Sequence, residues 1–440
     1  MFFQEKVLSL SGFLLFEWNK YRQKEDARAV ELLVRLVLFL IPRYLLLGAS
    51  VLLAFEVGNN IYFYMEPSRS VTSSEPPIVE IVKDLQMCFY PARAILIMTL
   101  FLFKAPSLWS RLMRKLQFLL LNKFPEVNRR SAVTKRLRSL SVWLFVVTSS
   151  LHVLWSCLEW SRYEYLLPLQ ANNNTPRMDC YHYFTLCLTF HEFVLMWSPH
   201  VDVLFIMSQQ VIVSAVLCGV ALLYVLSDLN RDIHAAFRDL KPRPLGDIDA
   251  SSWCELNQKV VTWIATYTQT FEALCLVEAL FSGILCVSIG LDVMAVIGTG
   301  ATLITASDAN FSFQAYFVWN TLLFLSYATL FYLPFVYLHE KSIEIGRILR
   351  QLIWKVKGHS DPDLNEYTKS SPALRQETTR HLDELAGIVK ENVFAVEPGA
   401  FFTFTRSFLV RLTTSILTLL LLTREIIERA AHAHNPLLSK

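Results

Sequence analysis

Charge is scarce in this sequence. Asp, Glu, Lys and Arg make up 18% of its 440 residues against 53% hydrophobic, with a mean hydropathy of +0.37. Soluble domains carry about 25% charged residues, so the chain has too little polar surface to cover a water-soluble body of its size. The net charge of +3 is too small to point to a nucleic-acid partner. Paired cysteines are absent too. None of the eight falls in a CxxC or CxxxC arrangement, so neither a zinc site nor a disulfide framework is indicated. Most lie in apolar blocks (Cys218, Cys275, Cys286), where cysteine acts as a small hydrophobe. Cys88 and Cys180 fall near the predicted outer face, and the topology permits a bridge between them. The ten histidines are dispersed, and His191-Glu192 begins a zincin-like string without a second histidine four residues on. No acid, base or metal constellation converges, so the sequence indicates neither an enzyme nor a cofactor.

What is abundant comes in blocks. Apolar runs near 20 residues, the length of helix that crosses about 30 Å of hydrocarbon, lie at about 31–56, 86–104, 139–160, 200–227, 270–298, 313–338 and 399–423. An eighth run, Tyr181–Trp197, is also apolar, and the positions of Lys and Arg decide its role. The N-terminal segment carries five, 104–138 ten with Glu126 as the only acid, 228–259 five, and 339–398 nine. The intervening segments carry two, two, none and three, a split of 29 against 7. Basic loops stay in the cytosol. A crossing at Tyr181–Trp197 would invert everything downstream and erase the bias. That run also holds His182, His191 and Glu192, which are costly in hydrocarbon. The expected fold is therefore an all-α polytopic membrane protein with seven transmembrane helices, its N-terminus cytosolic and its C-terminus extracellular. The sequon at Asn173, in a predicted outer loop, is a candidate glycosylation site.

The chain then divides into a cytosolic N-terminal segment (1–30), a six-helix bundle (31–338), cytosolic helices (339–398), a last helix (399–426) and an outer tail (427–440). The N-terminal MFFQEKVLSLSGFLLFEW lacks a small-residue cleavage site and carries Glu5 and Glu17, which predicts an amphipathic helix at the interface. The apolar run from Val260 to Ile297 exceeds one bilayer and is expected to project into the cytosol as a continuous helix. Segment 339–398 predicts a helix from His339 to Lys357, a turn at Gly358–Pro362 and a second helix from about Ala373 to Phe394.

Seven spans also describe the G-protein-coupled receptors, but those run in the opposite orientation. Arg162-Tyr163, which imitates their motif, has Ser161 in place of the acid and falls outside. A secondary transporter would show related halves with broken spans in matching positions, whereas Pro42, Pro91 and Pro334 show no pairing.

One segment carries a specific resemblance. Residues Phe394–Leu409, followed by the last apolar run, resemble the insect gustatory receptors. In that family the final span follows a Gly-x-Phe-x-x-Asp-Arg-like run and ends in Thr-Tyr, five hydrophobics, Gln-Phe. Phe402, Arg406 and Thr418 match. Ala400 stands where glycine is usual, with Gly399 one place off, and Thr405 replaces the acid. Leu419, Glu425 and Ile426 replace the tyrosine, glutamine and phenylalanine, so the chain resembles a divergent member. Glu340–Leu352 also looks like the family's loop helix. The resemblance implies a plasma-membrane chemoreceptor, a homo- or heterotetrameric ligand-gated cation channel of same-family subunits. Last spans would ring the pore, cytosolic helices would join subunits, and six spans would hold a small-molecule tastant.

On a helix Thr418, Leu421 or Leu422, and Glu425 share a face. A polar residue, an apolar ring and a carboxylate in that order would make a dewetting constriction beside a cation-concentrating mouth. The other reading of Glu425 is an interfacial ion pair with Arg424 or Arg429. For the ligand, the outer halves of the spans offer His152, Trp155, Gln209, Gln210, Asp292, Phe317, Trp319 and Asn320, either as an aromatic pocket with hydrogen-bonding groups or as packing. Asp292 and Arg93 stand out, because a charge inside a span faces protein or water. Non-conducting relatives of the same fold and a transporter remain as alternative readings.

Overall fold

A helix advances about 1.5 Å per residue, so roughly 20 residues cross the apolar core of a bilayer. The computed structural model describes residues 77–123, 127–172, 181–183, 186–188, 190–240, 250–305, 311–357 and 372–434, and most of its helices are longer than that. In chain order they are α1 (Pro77–Lys123), α2 (Val127–Asn172), the strands β1 (Tyr181–Tyr183) and β2 (Leu186–Leu188), α3 (Phe190–Leu240), α4 (Ala250–Thr305), α5 (Phe311–Thr329), α6 (Leu333–Lys357), α7 (Pro372–Glu391) and α8 (Arg406–His434). Among the described residues, five stretches are long and apolar enough to cross a membrane: Ser131–Leu158, Phe205–Leu240, Ala250–Ile304, Gln314–Lys357 and Arg406–Ile426. The bent α1 supplies a sixth. The expected first span, the N-terminal segment, Asn173 and Cys180 lie outside the described residues.

The run Tyr181–Trp197 is no separate span. Its first part is an antiparallel hairpin, with Tyr181 opposite Leu188 and Tyr183 opposite Leu186, and the rest opens α3. The basic segment 104–138, read from charge as a connection, is largely helical. It consists of the distal arm of α1 and the first turns of α2. The two arms of α1, Ala92–Ala105 and Ser107–Lys123, meet at 73°. Pro106 lies between them, and proline removes a helical N–H and crowds the preceding turn. The distal arm is tied down by charge: Lys115 pairs with Glu272 of α4, and Lys123 donates to Asp232 of α3 at 2.6 Å. A 3-10 turn, Leu330–Tyr332, separates α5 from α6. Pro334 follows at the second position of α6, where its missing N–H has no helical partner to lose.

The long α4 is the axis of the bundle, in contact with α1, α3, α5, α7 and α8. Its 56 residues form one continuous helix, as expected, and it is longer than a bilayer crossing requires. In hydrocarbon, helix association rests on close packing rather than on water exclusion. Accordingly Phe101, Trp109 and Phe281 interlock at ring separations of 5.9–6.3 Å between α1 and α4. The core continues where α6 and α7 pack on α4. Leu349, Leu352 and Val356 of α6 and Leu382, Leu385 and Val389 of α7 are buried in one core with α4. Burying each such side chain contributes about 1.5–3 kcal/mol.

From Asn392 to Thr405 the chain forms a strap leading to α8. Tyr267 of α4 donates to the Asn392 carbonyl at 2.8 Å, and the Phe394 N–H donates to Ser342 of α6 at 3.2 Å. Farther along, the Gly399 N–H donates to Ser282 of α4 at 2.8 Å, and Ser282 in turn donates to the Glu397 carbonyl at 2.8 Å. Phe404 stacks on Tyr332 and Phe335, and Arg406 pairs with Glu340. The strap also explains why α8 starts at Arg406, not at the expected residue 399. Pro398 lacks a donor, and Gly399 and Ala400 both have φ of 60°, in the left-handed region that a right-handed helix cannot contain.

Ala400, where the resembled pattern has glycine, holds a left-handed conformation that costs an L-residue about 1–2 kcal/mol. Glycine there relieves that strain and loses part of the gain to unfolded-state entropy. The Ala400→Gly protein is expected to be more stable by about 1 kcal/mol, read as a higher melting midpoint in detergent. An unchanged or lower midpoint would count against the left-handed turn.

Candidate functional site

Asp292, the carboxylate singled out in a span, meets Arg93 across 199 positions of sequence. Arg93 sits on α1 and Asp292 on α4, and both side chains are essentially inaccessible, at 1% and 0% exposed. Arg93 Nε donates to Asp292 Oδ1 at 2.6 Å and Nη2 to Oδ2 at 3.3 Å, the fork-on-fork arrangement that suits a planar guanidinium. The same Nη2 also reaches Gln209 Oε1 at 3.0 Å and Ser288 Oγ at 3.0 Å, and Nη1 reaches Ser208 Oγ at 3.5 Å. Ser288, one turn before Asp292, donates to its Oδ2 at 2.9 Å. A buried ion pair persists when its lone pairs and protons find such partners.

Aromatic rings close over this pair. The guanidinium lies 5.0 Å from the Phe205 ring centroid and 5.9 Å from that of Tyr327, within reach of the negative ring faces. Phe205 then stacks on His152 of α2 at 4.9 Å, and His152 meets Trp155 at 4.9 Å. Phe324 of α5 meets Phe205 edge to face at 6.0 Å and Tyr327 at 6.0 Å. Helices α1 to α5 thus converge on one polar and aromatic cluster.

Four of the expected ligand residues, His152, Trp155, Gln209 and Asp292, are linked by these contacts. Trp319 and Asn320 lie on α5: Trp319 packs against the same cluster, and Asn320 is fully buried among the stripe Tyr316, Phe324 and Tyr327. Gln210 turns instead to α2, donating to Thr148 at 3.1 Å, and Phe317 is buried in the cluster. Sequence reasoning missed Phe205, Ser208, Ser288 and Tyr327. A usable signal was present, since Phe205, Ser208 and Gln209 share a face of α3, and Ser288 stands one turn from Asp292.

Ile416 of α8 is buried in the same cluster, with Leu412 and Leu420 packed beside it at intervals of one turn. Gly300 of α4 leaves no room for a Cβ beneath Leu420, so α8 approaches α4 closely there. At 100° per residue, Thr418, Leu421, Leu422 and Glu425 fall on the face opposite Leu412, Ile416 and Leu420. All four are exposed, Leu421 at 66%, and Glu425 pairs with Arg429, the ion-pair reading of this carboxylate. Thr418 donates back to the Thr414 carbonyl at 2.9 Å.

No family model matches the chain, and no curated protein matches it in sequence. In three dimensions it is similar to the insect olfactory receptor OR5 from Machilis hrabei, with a TM-score of 0.52 and 13% identity over 91% of this chain and 92% of that one. The same receptor in complex with eugenol gives a TM-score of 0.54 and 13% identity over 92% of each chain. What this level of identity demonstrates is a shared fold, one that spans nearly the whole of both molecules.

Removing one partner of a buried pair strands the other charge, at a cost of about 3–5 kcal/mol, whereas an apolar replacement of both is often neutral. Asp292→Leu alone is therefore expected to lower the melting midpoint strongly. Arg93→Met with Asp292→Leu is expected to regain most of the loss, because the two effects are not additive for groups in contact. Additive losses across the cycle would contradict the pairing.

Proposed function

We propose that this protein is a gustatory-type chemoreceptor of the plasma membrane, a tetrameric cation channel opened by a small molecule. One observation carries the reading: the buried cluster on α1 to α5 and the last helix share a hydrophobic contact at Ile416. A molecule that rearranges Phe205, Trp155 or Tyr327 acts on the surface against which α8 rests. The likeness of fold to an olfactory receptor supports the same assignment, and so does the resemblance of residues 394–409 to the gustatory pattern.

In this reading seven spans leave the N-terminus in the cytosol and the C-terminus outside. Four copies of α8 surround the pore with Thr418, Leu421 or Leu422, and Glu425 inward. The exposure of that face in the single chain supports the arrangement, since an outward face carrying a threonine and a carboxylate is poorly suited to lipid. A leucine ring between them gates by dewetting, and the Glu425 ring concentrates cations. The helices α6 and α7 join subunits, with Trp354 at 78% exposure as a natural contact. The pair between Arg429 and Glu425 favours a second reading, a non-conducting relative of the same fold, because a neutralised carboxylate attracts no cations.

Neutralising the ring separates the two. Glu425→Gln is expected to lower single-channel cation conductance and weaken selectivity over anions, recorded by patch clamp with a panel of tastants. Unchanged conductance would remove Glu425 from the pore. Absence of any ligand-evoked current in the wild-type protein, with correct surface expression, would favour the non-conducting reading.

A further inference from the structure

Ten Lys and Arg residues lie between positions 104 and 138, and the fold sorts them into two kinds. Lys115 and Lys123 are committed to the bundle, Lys115 to Glu272 of α4 and Lys123 to Asp228 and Asp232 of α3. Lys104 donates to the Ala279 carbonyl of α4 at 3.1 Å. Arg111, Arg114, Lys135, Arg136 and Arg138 are all exposed, and among the described residues none of them pairs with a carboxylate. Arg111 with Arg114, and Lys135 with Arg138, stand three apart on their helices, where like charges destabilise each other. The chain itself supplies nothing to offset that repulsion.

Two features place these cations at a membrane surface. The first is the bend in α1. A span stands on average about 20° from the bilayer normal, so the arm Ser107–Lys123, turned by 73° from Ala92–Ala105, runs close to the membrane plane. Its outward face, read at intervals of three and four, carries Arg111, Arg114, Phe118 and Leu121, with Phe118 47% and Leu121 40% exposed. Cations beside exposed apolar side chains are the composition of a helix that lies in an interface.

The second feature is α2. At 100° per residue Arg136 continues the line of Trp143, Val147 and Leu154, and Lys135 continues that of Val142, Val146 and Val153. All six of these apolar side chains are exposed, Trp143 at 65%, within the stretch of α2 that is apolar enough to span. Such lines suit lipid, and tryptophan at the end of one belongs at the level of the headgroups. Arg136 stands about 10 Å farther along the axis, and an arginine side chain spans much of that interval.

We propose that Arg111, Arg114, Lys135 and Arg136 form a binding surface for the headgroups of anionic phospholipids in the cytosolic leaflet. A guanidinium meets a phosphate or carboxylate through two donors at once. Each Lys or Arg beside an anionic leaflet strengthens the attraction about fivefold. An acidic protein would also satisfy the charge, but it would not account for the exposed apolar lines that the cations continue. The proposal rests on the reading that puts segment 104–138 in the cytosol, and it adds the class of lipid that holds it.

The test uses purified full-length protein reconstituted into phosphatidylcholine bilayers, with spin-labelled phosphatidylserine or phosphatidylcholine as the probe. The motionally restricted fraction of each label reads its association with the protein. Phosphatidylserine is expected to associate about fivefold more strongly than phosphatidylcholine, and added salt is expected to weaken the preference by screening. The combined variant Arg111→Gln, Arg114→Gln, Lys135→Gln and Arg136→Gln is expected to lose the preference. Exchanging Arg for Lys and Lys for Arg at the same four positions is expected to keep it. Lys123→Gln, which breaks an internal ion pair, is expected to lower the melting midpoint and leave the preference intact. Equal association of the two labels with the wild-type protein would overturn the proposal, and so would a preference that survives in the glutamine variant. Saturable stabilisation by glycerophosphoserine in detergent would assign the surface to a soluble anion and overturn it as well. Both leaflets of the reconstituted bilayer carry the probe, so these results do not depend on orientation. Orientation is read separately, from antibody access to a tag on each terminus in intact cells. An N-terminus reached from outside would overturn the topology and the choice of leaflet, while the headgroup preference stands.

Discussion

Hydrocarbon does not hydrate a charge, and the Arg93–Asp292 pair follows from that constraint. An isolated guanidinium or carboxylate at this depth would be prohibitive, so α1 and α4 must present them to each other. The pair fixes the level and rotation of both helices. The groups that complete it come from the neighbouring helix: Ser208 and Gln209 place α3 against α1, while Phe205 and Tyr327 bring α3 and α5 over the guanidinium. Packing between lipid-exposed helices is only weakly selective, which gives one directional polar contact at the centre of the bundle a large share of the specificity.

The aromatic cluster that closes over the pair adjoins the last helix. α8 is held at two levels, by Ile416 and Leu420 against the aromatic cluster and Gly300, and by the strap from Asn392 to Thr405 on α4 and α6. Between these supports most of its surface is open, so a small movement at Ile416 meets little resistance from the rest of the chain. In our account this is how occupancy of the cluster reaches the pore.

Much of the architecture was legible from one-dimensional pattern. Apolar blocks located the spans that fall on described residues, and the bias of Lys and Arg dismissed Tyr181–Trp197, which is a hairpin and the start of α3. Asp292 announced itself as a charge inside a span. Its pairing with Arg93 was beyond reach, because helix periodicity reveals which face a residue occupies and not which helix it will meet. The bend at Pro106 was missed because the apolar block ended just before it, and the basic run beyond read as a connection. The strap hid the true start of α8 for a related reason. Phe401, Phe402 and Phe404 are hydrophobic enough to extend the span, and only the backbone reveals that Gly399 and Ala400 turn left-handed.

The account depends most on what covers the outward face of α8. Val410, Leu417, Leu421 and Leu422 are 49–66% exposed there, alongside Thr418 and Glu425. A mixed face of this kind is better satisfied by copies of itself around a water-filled axis than by lipid. A particle image of the solubilised complex at side-chain detail decides the matter. The account predicts fourfold symmetry with α8 of each subunit on the central axis and Glu425 pointing into it. A single chain, or an assembly in which α8 faces the detergent belt, would contradict it.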